Sequence, residues 1–370
     1  MTSNTQTMKS DTNGNDGQRE IWPDIIRVVA VFAVIVLHTG VEHFYRIDTR
    51  TAAWQICNLY ESLVRFCVPV FVMISGRFLL DPAREYTLKK LYGVKILRLA
   101  TAYLFWSAFY VMADHWFALK YGSDVKLSCS GFFREVVAGK YHLWFLPVMA
   151  GLYMVTPVLR HIVGNERVTV YFLALSLVFV FTVQTLDLIP FFHDAFTPEI
   201  DRLKLKLAAG FSGYYVLGYW LSRQKLKPAA RKGVCLAGLL AVLATAVING
   251  LIGYRLHRAG EWMFGTLTLN TLLASAAVFV FCQDRFQEWR PAPGPRKLIA
   301  KLGKWSFGIY LVHLFFLAAL NYILIRLDVY SRVYSYPLVS IPLASAVVFS
   351  AGAVTVFVLD RIPVLNKYII

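Results

Sequence analysis

Charge is scarce in this chain: Asp, Glu, Lys and Arg make up only 16% of 370 residues, against 57% hydrophobic and 15% aromatic residues and a mean hydropathy of +0.53. That balance excludes a soluble domain of this size. Acid is scarcest, with 22 Asp and Glu against 38 Lys and Arg, a net charge of +16. Paired cysteine is missing too, since Cys57, Cys67, Cys129, Cys235 and Cys282 show no repeated spacing. No disulfide framework and no zinc site follow, so no metal is expected. The sequence holds no Gly-x-Ser-x-Gly elbow, P-loop, His-Glu-x-x-His or dinucleotide fingerprint. Residues 1–20 contain no Val, Ile, Leu or aromatic residue, so they read as a disordered polar cytoplasmic tail, with no cleavable signal before the first span.

What is present is a series of ten apolar stretches, at about 22–43, 57–79, 91–118, 142–162, 168–190, 206–222, 233–254, 265–283, 304–326 and 337–359. A backbone in lipid must satisfy its own hydrogen bonds, and stretches of this length do so as helices rather than as barrel strands. The expected fold is therefore all-α, a polytopic integral membrane bundle of about ten transmembrane helices. Basic residues crowd alternate connections: six from Arg77 to Arg98, five from Arg223 to Lys232 and six from Arg285 to Lys304. The positive-inside rule then puts both termini in the cytoplasm. It also accounts for the charge as topology and lipid headgroup contact, which removes nucleic acid as a partner. Residues 21–370 read as one membrane domain. The cluster Pro291-Ala-Pro293-Gly-Pro295 reads as an inward loop.

The first stretch carries the chemistry. Arg27 and His38 stand eleven residues apart, three helical turns plus about 20°, so they share a face about 16 Å apart along the axis. Asp24 and Glu42 extend the stripe. Ionisable groups at this depth face a polar interior or cavity, because lipid exposure costs each a few kcal/mol. His38 reads either as a general base or as a histidine bonded between helices. Glu61 and Arg65, four residues apart in the second stretch, read as active-site groups or as a salt bridge joining helices.

At that stretch's inner end, Ser75-Gly76-Arg77 offers small residues where backbones approach or a ligand passes. Arg98 enters the third stretch from its inner mouth, where a cytoplasmic polyphosphate would suit it. His142 and Trp144 open the fourth stretch at the outer surface, where aromatics also serve as an interfacial belt. Ser306, Tyr310 and His313 share one face of the ninth stretch.

Together, Arg27-(ten residues)-His38, Phe71-Val-Met-Ile-Ser75-Gly76, Lys95-Ile-Leu-Arg98, His142-Leu-Trp144-Phe145 and Ser306-Phe-Gly308-Ile-Tyr310-Leu-Val-His313 resemble the membrane acyltransferase-3 family over about residues 20–360. The closer resemblance is to the stand-alone branch that acetylates surface polysaccharides such as enterobacterial common antigen. This resemblance implies a multi-pass enzyme of the bacterial inner membrane. It would take acetyl from cytoplasmic acetyl-CoA, its acyl-donor substrate, and deliver it to a hydroxyl of a periplasmic or lipid-linked glycan.

It also implies that Arg27 and His38 are required, and that Arg98 is a motif position. On that reading His38, Arg27 and Glu61 are catalytic. Arg27, Ser75, Arg77, Arg98, Tyr310 and His313 contact the donor, and Glu42, Arg65, His142 and Trp144 contact the acceptor. The alternative is a secondary transporter of a small solute, because Arg, His and Glu inside a membrane also line solute pathways. Transporters commonly show internal repeats with matching Gly or Pro breaks, and neither is found here.

Overall fold

The first helix begins where proline costs nothing. Pro23 stands in the opening turn of α1 (Trp22–Phe44), where no hydrogen bond from its nitrogen is needed, and Asp24 favours the positive end of the helix dipole. The structure is a computed structural model that describes residues 20–84, 87–120, 122, 128–189, 191–193 and 210–370. Every regular element among the described residues is helical. Of the polar tail expected at 1–20, residues 1–19 lie outside the described residues, while Glu20 pairs with Arg77. Most of the connection at 190–205 lies outside them as well.

The second expected span is two helices, α2 (Ala52–Val64) and α3 (Cys67–Leu79), and α2 starts five residues earlier than the apolar stretch suggested. Thr51 caps α2 by accepting from the Trp54 amide at 3.2 Å. The break follows from Pro69, which has no N–H and whose ring would press on the carbonyl four residues back, that of Arg65. Arg65 therefore stands at the joint between the helices.

The helix α4 (Leu88–Lys120) carries a π-turn over Leu91–Ile96, just before Arg98. Such turns re-aim the side chains around them. The 119–141 connection contains a short helix, α5 (Cys129–Ala138). Next come α6 (Tyr141–Val163), opening with a 3₁₀ turn at Tyr141–Trp144, and α7 (Glu166–Leu186), capped by Asn165.

The remaining elements are α8 (Ser212–Arg223), α9 (Pro228–Leu256), α10 (Leu269–Phe286), α11 (Pro293–Arg326), α12 (Tyr330–Tyr334), α13 (Pro337–Leu359) and α14 (Pro363–Tyr368). The proline cluster is not all loop. Pro293 and Pro295 lie in the first turn of α11, which starts eleven residues before the expected span.

Among the described residues eight of the ten expected spans are long and apolar enough to cross a membrane, the second of them as α2 and α3 together, so the chain is a multi-pass helical membrane protein. Residues 206–209 of the stretch at 206–222 lie outside the described residues, and the rest of it holds α8, of 12 residues; the stretch at 265–283 holds most of α10, of 18 residues. Tyr214, Tyr215 and Val216 of α8 are buried, and Asn270 of α10 donates to Thr245 Oγ1 and to the Met263 carbonyl.

Within the bundle α1 packs against α2, α3, α10, α11 and α13, so its polar stripe faces protein rather than lipid. Gly76 on α3 lies against the Tyr215 backbone of α8, and Gly218 on α8 lies against the Met73 backbone of α3. A methyl group at either position would overlap a carbonyl. Gly76→Val is expected to force α3 and α8 apart and to lower stability by about 1–3 kcal/mol or more, read as a lower melting temperature of the detergent-solubilised protein.

Candidate active site

Antiparallel packing gathers the start of α1, the end of α3 and the start of α4 at one end of the bundle, the inner end on the charge rule. Two adjoining cavities open there, of about 860 and 610 Å³. They share Asp24, Arg27, Ser75, Lys95 and Tyr153 as walls. Arg27 is held toward them by Asp24 at 2.8 Å, an i,i+3 pair on α1.

The larger cavity is rich in cations. The guanidinium groups of Arg27, Arg77 and Arg84 lie 5.0, 5.0 and 4.7 Å from the centre of the Phe78 ring. Such stacking holds planar cations in place beside the carboxylates that pair with them, Asp24 with Arg27, Glu20 with Arg77 and Asp81 with Arg84. The smaller cavity runs from Arg98, Lys301 and Lys304 to an aromatic end formed by Phe71, Phe145 and Tyr310. Arg98 neither escapes to the surface nor faces lipid. It donates to the Ile370 carbonyl and lies 5.4 Å from the Phe307 ring centre.

Three imidazoles converge beyond the Tyr310 ring. His38 and His313 have ring centres 5.1 Å apart, and His313 and His142 are separated by 5.3 Å. Tyr310 touches both of the latter, at 5.7 Å from His142 and 5.8 Å from His313, and its hydroxyl donates to the His142 carbonyl. That bond pins the opening turn of α6 to α11. Tyr141 meets His38 edge-on at 5.4 Å, and Tyr110 meets His142 at 5.0 Å. His142 and His313 are buried and His38 is half-buried. Among the described residues, no three His, Cys, Asp or Glu side chains are placed to hold a metal ion.

Glu61 closes in on the same helix. Its Oε1 lies where a side chain at Gly40 would have to be, 2.7 Å from that Cβ position, and finds no hydrogen-bond partner. Its Oε2 accepts from Arg65 at 2.5 Å, and Arg65 also approaches Glu261 at 3.6 Å and stacks on Phe264 at 4.1 Å. The pair is an i,i+4 ion pair at the end of α2, tied on to the loop residues Glu261 and Phe264 through Arg65. Removing one partner of a buried pair costs about 3–5 kcal/mol, so Glu61→Gln is expected to lower the melting temperature markedly in detergent.

Glu42 lies one turn past His38, where Asn321 donates to it at 3.3 Å and is itself held by Tyr334. Trp144 is the outlier. Like His38, Glu42, Glu61, Arg65 and His142 it lines neither of these two cavities, and unlike them it is exposed, packing against Phe145 and Phe211. Ser306 and Tyr310 line the smaller cavity as their shared face suggested, while His313 lies one ring beyond it.

Sequence reasoning did not single out Tyr110, Tyr153, Phe78 or Glu261. Three of these are ordinary residues of apolar helices, and Glu261 lies in a loop. None carries a local signal, because each gains its place from a neighbouring helix.

A search of curated proteins gave no match, and neither did a search of solved structures. A scan against protein-family models matched the acyltransferase domain of the acyltransferase-3 type over residues 20–359, which includes the cavities, the histidine cluster and the ion pair beside it. The chain thus belongs to the acyltransferase-3 family of membrane acyltransferases.

Proposed function

We propose that this protein is an O-acetyltransferase of the bacterial inner membrane. On this reading it takes acetyl from cytoplasmic acetyl-CoA and passes it to a hydroxyl of a surface or lipid-linked glycan on the periplasmic side. The observation that carries the reading is a gradient: a cation-lined mouth at Arg27, Arg77 and Arg98 narrows to an aromatic end whose Tyr310 ring also touches the histidine cluster.

That gradient suits coenzyme A, whose phosphates are anionic and whose pantetheine arm ends in a thioester. Guanidinium groups bind phosphate with charge-assisted hydrogen bonds. The 16 Å or so along α1 between Arg27 and His38 is a length a pantetheine arm spans. Ser75 would border the arm, with Tyr310 at its reactive end.

In the transfer step the acceptor oxygen attacks the thioester carbonyl while His38 takes the hydroxyl proton. The C–S bond then breaks, and the proton passes to the departing thiolate, leaving an O-acetyl ester and free coenzyme A. Arg65 lies within electrostatic reach of His38 and is positioned by Glu61, so it would favour the developing oxyanion. Acceptor contacts would come from Glu42 and His142. Trp144, exposed two residues along the same turn as His142, would add a ring to that set.

Nothing in the described residues favours the carrier alternative. Mass spectrometry of surface glycans from a strain lacking the gene tests the function. Loss of an acetyl increment that returns with the wild-type gene supports it, and an unchanged glycan profile opposes it.

A further inference from the structure

His313 is more constrained than a histidine that merely packs. It is fully buried on α11, and its Nδ1 lies 2.5 Å from the carbonyl oxygen of Tyr310. A carbonyl only accepts, so Nδ1 carries the proton, and the neutral ring then presents Nε2 as a lone pair. That Nε2 is buried and has no hydrogen-bond partner, a costly state for a polar atom in a protein interior. Its nearest imidazole is His38, at 5.1 Å between ring centres. Two imidazoles lie about this far apart when a nitrogen of one faces a nitrogen of the other at roughly 3 Å.

We propose that His313 is the positioning residue for His38. Its Nε2 accepts the N–H of His38, which fixes the tautomer and rotation of that ring and leaves the other His38 nitrogen free to take the acceptor's proton. A small rotation of the half-buried His38 ring makes the bond. Such contacts tighten when a site fills.

This inference rests on the acetyl-transfer reading, with a defined place for His313. It is neither a donor contact nor a metal ligand, and acts through another residue. Tyr310 takes part through its main-chain carbonyl, which sets the tautomer.

The test uses membrane vesicles holding the full-length protein, supplied with radiolabelled acetyl-CoA and read as label on the vesicles' own glycans. Three variants are compared with the wild type: His313→Ala, His313→Gln and His313→Asn. The Gln amide reaches the place of Nε2 and restores an acceptor for His38, whereas Asn reaches only the place of Nδ1. The proposal expects kcat to fall at least tenfold in His313→Ala and His313→Asn, with a substantial part of the rate kept in His313→Gln. The KM for acetyl-CoA should be the same in all.

Equal losses in the Gln and Asn variants, or wild-type kcat in the Asn variant, overturn the proposal. A rise in KM with kcat intact overturns it as well, and returns His313 to the donor site. Should the Ala variant fail to fold, the Gln and Asn pair decides. If the wild type transfers no acetyl, the underlying function fails rather than this assignment alone.

Discussion

Purified His38→Ala is expected to transfer acetyl some 10²–10⁴ times more slowly than the wild type, which is the usual contribution of a positioned general base. The equivalent loss of transition-state stabilisation is about 2.7–5.5 kcal/mol. Binding of acetyl-CoA should persist, because the cations proposed to meet its phosphates lie at the other end of the α1 stripe, around Arg27. Folding should persist too, since the half-buried His38 ring meets Tyr141 and His313 without supporting an ion pair. Initial rates and equilibrium binding on the same preparation separate these effects. A variant that neither binds nor turns over would point to a structural histidine.

The second large effect is expected at Arg27. Its guanidinium borders both cavities, beside Phe78 and paired with Asp24. A hydrogen bond to a charged group contributes about 1.5–3 kcal/mol, so Arg27→Gln should raise the KM for acetyl-CoA roughly ten- to a hundredfold. The rate at saturating donor should fall far less. Asp24 is almost fully buried and would lose its cation, so the double variant Asp24→Asn/Arg27→Gln controls for an uncompensated carboxylate. Initial rates against donor concentration check the outcome. A wild-type KM in both variants would move the phosphates away from this mouth.

The opposite behaviours expected of Arg27 and His38 reflect how the sequence could be read. Both were visible because ionisable residues in an apolar helix are conspicuous, and their eleven-residue spacing places them on one face without reference to any other element. The joint at Arg65 was legible in principle from Pro69, yet the apolar stretch runs straight through it, and hydropathy has no term for a missing amide. The proline cluster before α11 was misread for a related reason. Proline ends a helix when it falls inside one and begins a helix when it falls in the first turn, and composition alone does not distinguish the two.

The convergence of His142 and His313 on His38 was not legible as geometry, although all three residues stood out individually. It depends on the Tyr310 hydroxyl tying α6 to α11, a contact between residues 168 positions apart. Trp144 shows the converse. Its place beside His142 suggested a shared role, yet the two rings lie in different surroundings: His142 is buried among Tyr110, Tyr310 and His313, while Trp144 is exposed and packs on Phe145 and Phe211. Hydropathy responds alike to burial in lipid and burial in protein. The close backbone contact of α3 and α8 at Gly76 and Gly218 therefore had no signal in the apolar stretch at 206–222.

The central claim is that acetyl enters at the arginine-lined end and leaves on a glycan at the other. Sealed everted vesicles, with the cytoplasmic face outward and the glycan acceptor enclosed, test it most directly when membrane-impermeant radiolabelled acetyl-CoA is added outside. The account predicts that label appears on enclosed glycan and that this requires His38. Label only on acceptors exposed to the same face as the acetyl-CoA would contradict it.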